Sequence, residues 1–313
     1  MAKVSIVIPC YFNEMNIKET YQVLVQDVLD KRTDIDFEIV FVDDGSKDKT
    51  LDELKKVQRL DSRIKIVKLS RNFGEFRAIV AGMSQATGDA IAVMSADLQD
   101  PPYLITEMIH YWQEGEKVVI AARSKRDEPW IKNFLANTYY KIVRKLVIAD
   151  YPKQGFDFFL MDRSVADILV NMQEKNSSIY VQLIWTGFKP KVIEYTRKAR
   201  EAGKSMWSYK KRIDLFIDTF IVFSHTPIRW ISGLGFLMSV SGFISALLLV
   251  YDKIAHGSDV AGWTSLMVVV LVLAGVQMIM LGVIGEYMWR NLDESRKRPL
   301  YIVDEIIEVK NNE

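Results

Sequence analysis

The segment Phe37–Ser46 reads FEIVFVDDGS, an apolar run broken only by Glu38 that stops at two aspartates, a glycine and a serine. β-Branched and aromatic residues over this length suit a strand covered on both faces, as in a parallel sheet. On its own Asp43-Asp44-Gly45-Ser46 is equally an ordinary turn. The surrounding sequence gives it weight. Upstream, Val4–Ile8 forms a similar run and is followed by Pro9-Cys10-Tyr11-Phe12-Asn13-Glu14; downstream, Ala90–Met94 is followed by Ser95-Ala96-Asp97-Leu98-Gln99-Asp100. Ile64–Leu69 and Val118–Ala122 add two more runs, with amphipathic stretches between them. This alternation predicts an α/β fold of βαβ units around a mostly parallel sheet flanked by helices. Thr50 followed by Glu53 resembles a capping box, and Pro101-Pro102 is placed to open another helix.

A chain of 313 residues accommodates one sizeable α/β domain and something smaller. With 41 basic against 40 acidic residues, no global field attracts nucleic acid. The single cysteine, Cys10, closes a predicted buried strand and is expected to be a packed thiol. His110, His225 and His256 are scattered and suggest no metal site. The chain enters its first strand without the basic start and apolar core of a signal peptide, so the catalytic half is expected in the cytosol.

Two segments, Trp230–Tyr251 and Trp263–Gly285, contain no Lys, Arg, Asp or Glu. Each reaches the roughly 20 residues needed to cross a bilayer, and two transmembrane helices are expected. Lys210, Lys211, Arg212 and Arg229 precede the first and Arg290, Arg296, Lys297 and Arg298 follow the second, which predicts cytoplasmic termini of a multi-pass inner-membrane protein. Trp130–Val147 and Trp207–Phe223 mix basic and aromatic residues at helical spacing, as interfacial amphipathic helices do. The expected organisation is a catalytic domain over 1–204, a loop and juxtamembrane helix over 205–228, the spans over 229–290 and a tail over 291–313. Glycines 233, 235, 242, 275 and 282 permit close helix contact, within the chain or between protomers of a homo-oligomer. Glu286 is placed to pair with Arg290 one turn later.

In an open parallel sheet, ligands bind beyond the carboxyl ends of the strands. Three acidic clusters there suit a site for ribose hydroxyls, a base edge and a metal-bound diphosphate. The order Val-Ser-Ile-Val-Ile-Pro, Val-Asp-Asp-Gly-Ser and Ala-Asp-Leu-Gln-Asp-Pro-Pro resembles the family 2 glycosyltransferases of the GT-A fold. The tail, LGVIGEY at 281–287 and RPLYIV at 298–303, is similar to that of the two-span polyisoprenyl-phosphate glycosyltransferases, which include bactoprenol glucosyltransferases and are related to dolichol-phosphate mannose synthases.

The resemblance implies that Pro9, Tyr11, Glu14, Asp43 and Asp44 hold the nucleotide of a nucleotide-sugar donor. It implies that Asp97 and Gln99 face a divalent cation, Mg2+ or Mn2+, and the diphosphate, and that Arg123 contacts the diphosphate. Asp157 matches the position proposed as catalytic base. Arg200, Lys204, Ser205 and Lys210 match a loop that cradles the phosphate of a polyisoprenyl acceptor. Two departures stand out: Ser95 replaces the first aspartate of the usual Asp-x-Asp, and Phe12 is an extra residue after Tyr11. The implied reaction is inverting hexose transfer, with UDP-glucose and undecaprenyl phosphate as first choices and UDP-GlcNAc, UDP-galactose or GDP-mannose as other donors. A processive polysaccharide synthase is disfavoured because Gln182-Leu183-Ile184-Trp185 lacks the arginine of Gln-x-x-Arg-Trp. A nucleotide-binding scaffold without turnover is the reading from another class, with Ser95 as its support.

Overall fold

The computed structural model describes residues 1–123, 141, 143–145, 148, 151–152, 155–172, 174, 177–196, 226–256 and 262–308. They fall into two units, one drawn from 1–219 and 299–313 and the other from 220–298. In the first unit the elements run β1 (Ala2–Cys10), α1 (Ile17–Leu24), β2 (Ile35–Asp43), α2 (Thr50–Leu60), β3 (Ile64–Leu69), α3 (Glu75–Gln85), β4 (Ala90–Val93), α4 (Leu104–Gln113), β5 (Val118–Arg123), β6 (Phe156–Asp162), α5 (Arg163–Asn171), α6 (Ile179–Trp185) and β7 (Lys191–Tyr195). The second unit holds α7 (Thr226–His256) and α8 (Trp263–Ser295), after which β8 (Val303–Ile307) returns to the first.

All eight strands form one sheet in the order β7-β5-β6-β4-β1-β2-β3-β8. β1 lies parallel to both β2 and β4, β2 to β3, and β5 to β7; β6 and β8 run against their neighbours. The five expected strands are present. The chain steps outward from β1 to β3 and then crosses back to β4, which opens a crevice at the carboxyl ends of β1 and β4. Strand polarity puts more on that rim. Antiparallel β6 begins where β4 and β5 end, with Phe156 opposite Ala122, and β8 begins where β3 ends, with Val303 opposite Leu69.

Hydrophobic burial fixes the sheet. Val4, Ile6, Ile8, Ile39, Phe41, Ile66, Phe158 and Leu160 belong to one buried cluster that α1, α2 and α4 cover. On the other face α3 packs against Val7 and Val42 so closely that a Cβ at Gly82 would meet Val7 Cγ1 at 2.4 Å. Truncating one of the fully buried phenylalanines, Phe41 or Phe158, to alanine would cost about 3–5 kcal/mol.

The expected capping box does not form. Thr50 Oγ1 instead donates to Asp48 Oδ1 at 2.6 Å and accepts from the N–H of Asn13 at 2.8 Å, while Glu53 pairs with Lys56. The start of α2 is thereby tied to the loop after β1 rather than to itself.

Both expected membrane segments are helical. Among the described residues one helical stretch, Val272–Ser295, is long and apolar enough to span a bilayer, with a mean hydropathy of 1.5, and Gly235–Ser245 is a shorter apolar run. Large apolar side chains such as Phe236, Phe243, Met278 and Ile279 stand two-thirds exposed. Gly235 leaves room for Met280, whose Cε would lie 3.2 Å from a Cβ there. Arg290 and Glu286 form the expected i,i+4 pair at 2.8 Å. Trp207–Phe223 lies outside the described residues, as does Trp130–Val147 apart from Lys141 and the helical Val143–Lys145.

Candidate active site

The loop after β1 is built around Tyr11. Its N–H donates to Asn13 Oδ1, and Phe12 adopts a left-handed backbone (φ 55°) with its ring packed edge-on against Tyr11 at 4.5 Å. A bulky residue with positive φ is costly, and such strain gathers at binding sites. The extra residue is thus taken up as a tight turn. Glu14 points to α2, where its carboxylate accepts the N–H of Lys49 at 2.9 Å, at the positive end of the helix dipole.

After β2, Asp43 accepts the N–H of Ser46 at 3.1 Å, and Asp44 takes two N–H bonds, from Phe73 at 2.7 Å and Gly74 at 2.9 Å. Asp44 therefore fastens the loop after β3. Burial pushes both carboxyls above the usual range, outweighing the N–H bonds that pull them down. Between them and that loop Gly45 has φ 67°, and a Cβ there would lie 2.5 Å from the backbone carbon of Arg71. Only glycine fits this approach.

The approach closes one side of a cavity of about 530 Å³ whose walls include Tyr11, Asp43, Lys68, Arg71, Asn72 and Asp304. Arg71 is steadied by stacking 4.1 Å over Phe73. The volume is that of a small-molecule site. Of the residues expected to hold a nucleotide, Tyr11 and Asp43 line this cavity, whereas Pro9, Glu14 and Asp44 are not among its lining residues. Cys10 is buried beneath, and burial with nearby Asp43 and Asp48 pushes its thiol up, as befits a packed group.

The remaining expected residues collect on the β4–β6–β5–β7 side of the rim. Asp97 lies just past β4, where Leu98 again has a left-handed backbone (φ 53°). Asp97 Oδ1 accepts from Ser95 Oγ at 2.9 Å and from the N–H of Gln99 at 3.3 Å. Ser95 is thus a positioning partner of Asp97. No group of three or more His, Cys, Asp or Glu is placed to hold a metal ion among the described residues. The Asp97 carboxylate alone still fits Mg2+, which often takes only one or two protein carboxylates with water and substrate phosphates.

Arg123 ends β5 and forms an ion pair through Nη2 with Asp157 at the start of β6. Antiparallel pairing of β5 and β6 brings the two together. On the other side Arg123 stands in register with Tyr195 of β7, and Tyr195 donates to the fully buried Asp100. Asp100 also lies 3.4 Å from Ser95 Oγ. A continuous polar chain therefore runs Asp97, Ser95, Asp100, Tyr195, Arg123, Asp157. Burial would by itself lower the pKa of Arg123, and Asp157 and Asp100 more than reverse this. Burial and Asp100 push the Tyr195 hydroxyl up, so it stays a donor. Sequence reasoning missed Tyr195 and placed Asp100 in the acidic cluster after β4 without assigning it a partner. Arg200, Lys204, Ser205 and Lys210 lie outside the described residues.

Residues 5–169 match the family model of glycosyl transferase family 2. The chain is 43% identical over 308 residues to an uncharacterized glycosyltransferase, YkcC, of Bacillus subtilis, covering 98% of this chain and 95% of the relative. It is 34% identical to a prophage bactoprenol glucosyl transferase homolog of Escherichia coli (97% and 99% covered) and 33% identical to the bactoprenol glucosyl transferase of Shigella phage SfV (96% and 98%). Among solved structures, glucosyl-3-phosphoglycerate synthase from Mycobacterium tuberculosis superposes with a TM-score of 0.50 at 14% identity, over 70% of this chain and 80% of that one, a likeness of fold. A matched domain that contains the cavity-lining Asp43, the Asp97 loop and the Arg123–Asp157 pair, with relatives similar from end to end, makes the chain a glycosyltransferase that belongs to glycosyl transferase family 2.

Proposed function

We propose that the chain transfers a hexose from a nucleotide-sugar, with UDP-glucose as first choice, to a polyisoprenyl phosphate such as undecaprenyl phosphate at the cytoplasmic face of the inner membrane, with inversion at the anomeric carbon. The observation that carries this reading is the Arg123–Asp157 pair, held at the same rim as Asp97 and a nucleoside-sized cavity. End-to-end similarity to bactoprenol glucosyl transferases supports the choice of acceptor and donor. The exposed apolar helices α7 and α8 are read as two spans that keep the lipid acceptor within reach, which makes the bilayer a partner and the protein multi-pass with both termini cytoplasmic.

In this reading the nucleoside fills the cavity beside Tyr11 and Asp43, and the diphosphate runs toward Asp97 and Arg123. Asp97 with Gln99 would hold a divalent cation, which when bound neutralises the diphosphate charge. Arg123 stabilises charge on the departing diphosphate, and Asp157 fixes the direction of its guanidinium. A phosphate monoester, with a second pKa of about 6, is already largely dianionic at neutral pH. Asp157 therefore orients Arg123 and the reacting groups rather than withdrawing a proton. Rate comes from in-line placement of the acceptor oxygen at the anomeric carbon. The basic stretch with Arg200, Lys204, Ser205 and Lys210 binds the acceptor phosphate.

The test is release of free nucleotide by detergent-solubilised protein supplied with undecaprenyl phosphate and, in turn, each common UDP- and GDP-sugar, with and without Mg2+ or Mn2+. Acceptor-dependent release with one donor, and a lipid-linked hexose of matching mass, is the expected result. Nucleotide binding with no release from any donor would establish the scaffold reading instead.

A further inference from the structure

The last strand reaches the sheet through a bulge. The ladder pairs Ile66 with Ile307, Val67 with Ile306 and Lys68 with Glu305, then jumps to Leu69 with Val303, which leaves Asp304 as the extra residue. A bulge kinks its strand and re-aims a side chain. Here Asp304 Oδ2 accepts from Lys68 Nζ at 2.5 Å, and both residues stand in the wall of the 530 Å³ cavity. The segment is fastened on either side of them. The N–H of Ser70 donates to Ile302 O at 3.0 Å, the Tyr301 hydroxyl donates to Ser84 Oγ at 2.8 Å, and Glu308 lies 3.5 Å from Lys65.

An ion pair this exposed adds little to the stability of a fold. Its place on a ligand-sized cavity gives it another use. The carboxylate accepts from ribose hydroxyls or a base N–H, and the ammonium donates to a base carbonyl, so the pair presents one acceptor and one donor side by side. The geometry points to Asp304, with Lys68, as a donor-binding pair that contacts the nucleoside end of the nucleotide-sugar. The segment after α8 is then part of the donor site. This rests on the reading that the cavity holds the donor nucleoside.

The experiment is titration calorimetry of the full chain in detergent with UDP and UMP, and with GDP and GMP, beside donor kinetics and melting temperatures. The variants are Asp304→Asn, Lys68→Met, Asp43→Asn and, as a control on the same segment away from the cavity wall, Glu308→Gln. Asp304→Asn and Lys68→Met are expected to weaken the nucleotide that the wild type binds by about tenfold, the loss of one charge-assisted hydrogen bond. The same factor is expected for the monophosphate, because the contact is to the nucleoside. Donor KM rises accordingly, while kcat and melting temperature hold and Glu308→Gln behaves as wild type.

If Asp43→Asn weakens binding but Asp304→Asn and Lys68→Met do not, the inference fails and the cavity reading stands. If Asp43→Asn also leaves binding intact, or the wild type binds none of the four nucleotides, the cavity reading fails and the inference falls with it. Parallel loss of melting temperature and affinity in Asp304→Asn and Glu308→Gln would assign Asp304 to strand docking alone and overturn the inference.

Discussion

The two sides of the rim hold their polar groups in different ways. On the β1–β2–β3 side the carboxylates of the loops after β1 and β2 are gripped by backbone, Glu14 by Lys49 N–H, Asp43 by Ser46 N–H, Asp44 by Phe73 and Gly74 N–H, and Asp304 of β8, held by Lys68, is the exception. On the β4–β6–β5–β7 side they are gripped largely by other side chains, in the run from Asp97 and Ser95 through Asp100 and Tyr195 to Arg123 and Asp157. Backbone bonds fix the shape of loops, so that side works as a mould for a ligand. Side-chain bonds couple charges to one another, so the other side acts as a unit whose members fail together.

Substitutions on the second side should damage turnover, and those on the first should damage fit. The largest effect is expected at Asp97: Asp97→Ala should lower kcat by about a hundredfold or more, the scale for losing one electrostatic stabiliser of a developing charge. Ser95→Ala should cost less than about tenfold, because the Gln99 N–H still positions Asp97 Oδ1. Steady-state rates with saturating donor check both, and comparable losses in the two variants would place the essential group at Ser95 instead.

Next is Gly45→Ala, which combines positive φ with a Cβ 2.5 Å from backbone. It should lower stability by at least about 1–3 kcal/mol and weaken nucleotide binding, read by thermal melts and titration. Unchanged affinity would detach the cavity from the donor.

Tyr195→Phe removes the hydroxyl donor to buried Asp100 and should cost about 1–3 kcal/mol in denaturant unfolding. It should also lower kcat with little change in donor KM, since Arg123 loses a neighbour that orients it. A change confined to KM would put Tyr195 on the fitting side.

The smallest effect is a pH dependence far from the rim. Burial alone would raise the pKa of Glu38, but Ser5, the Thr87 N–H and Lys65 together hold it below its usual value. A lowered folded pKa means that the stabilisation is complete above the unfolded glutamate value of about 4.3 and is lost as pH falls through the folded one. Melting temperature should therefore drop over that acid window, and Glu38→Gln should flatten the drop.

Much of the parallel core is legible because apolar runs such as Ile39–Val42 are short, rich in β-branched and aromatic residues, and bounded by turn residues, which together favour a strand over a buried helix. Tyr11 and Asp43 are legible as cavity residues for the same reason, since they follow such runs directly. Other features depend on distant partners. Lys191–Tyr195 is five residues with alternating exposure, and only its pairing with β5 makes it a strand. Val303–Ile307 carries two acids in five residues and is a strand only because β3 offers an open edge. The bonds from the Phe73 and Gly74 N–H groups to Asp44 are likewise set by a loop distant in sequence. The spacing of Thr50 and Glu53 is right for a capping box, but Asp48 and Asn13 take up the hydroxyl first.

The bond between Lys68 and Asp304 spans 236 positions of sequence. During synthesis β3 therefore emerges from the ribosome long before its outer neighbour exists, and both apolar helices are made in between. Until residues 303–307 appear, β3 is an unpaired edge, a template for wrong pairing with another nascent chain. The acidic strand that finally covers it leaves Asp304 and Glu305 on the new outer edge, where charge discourages further addition. Completion of the sheet thus becomes a late event in the life of the chain, coupled in time to the making of its hydrophobic part.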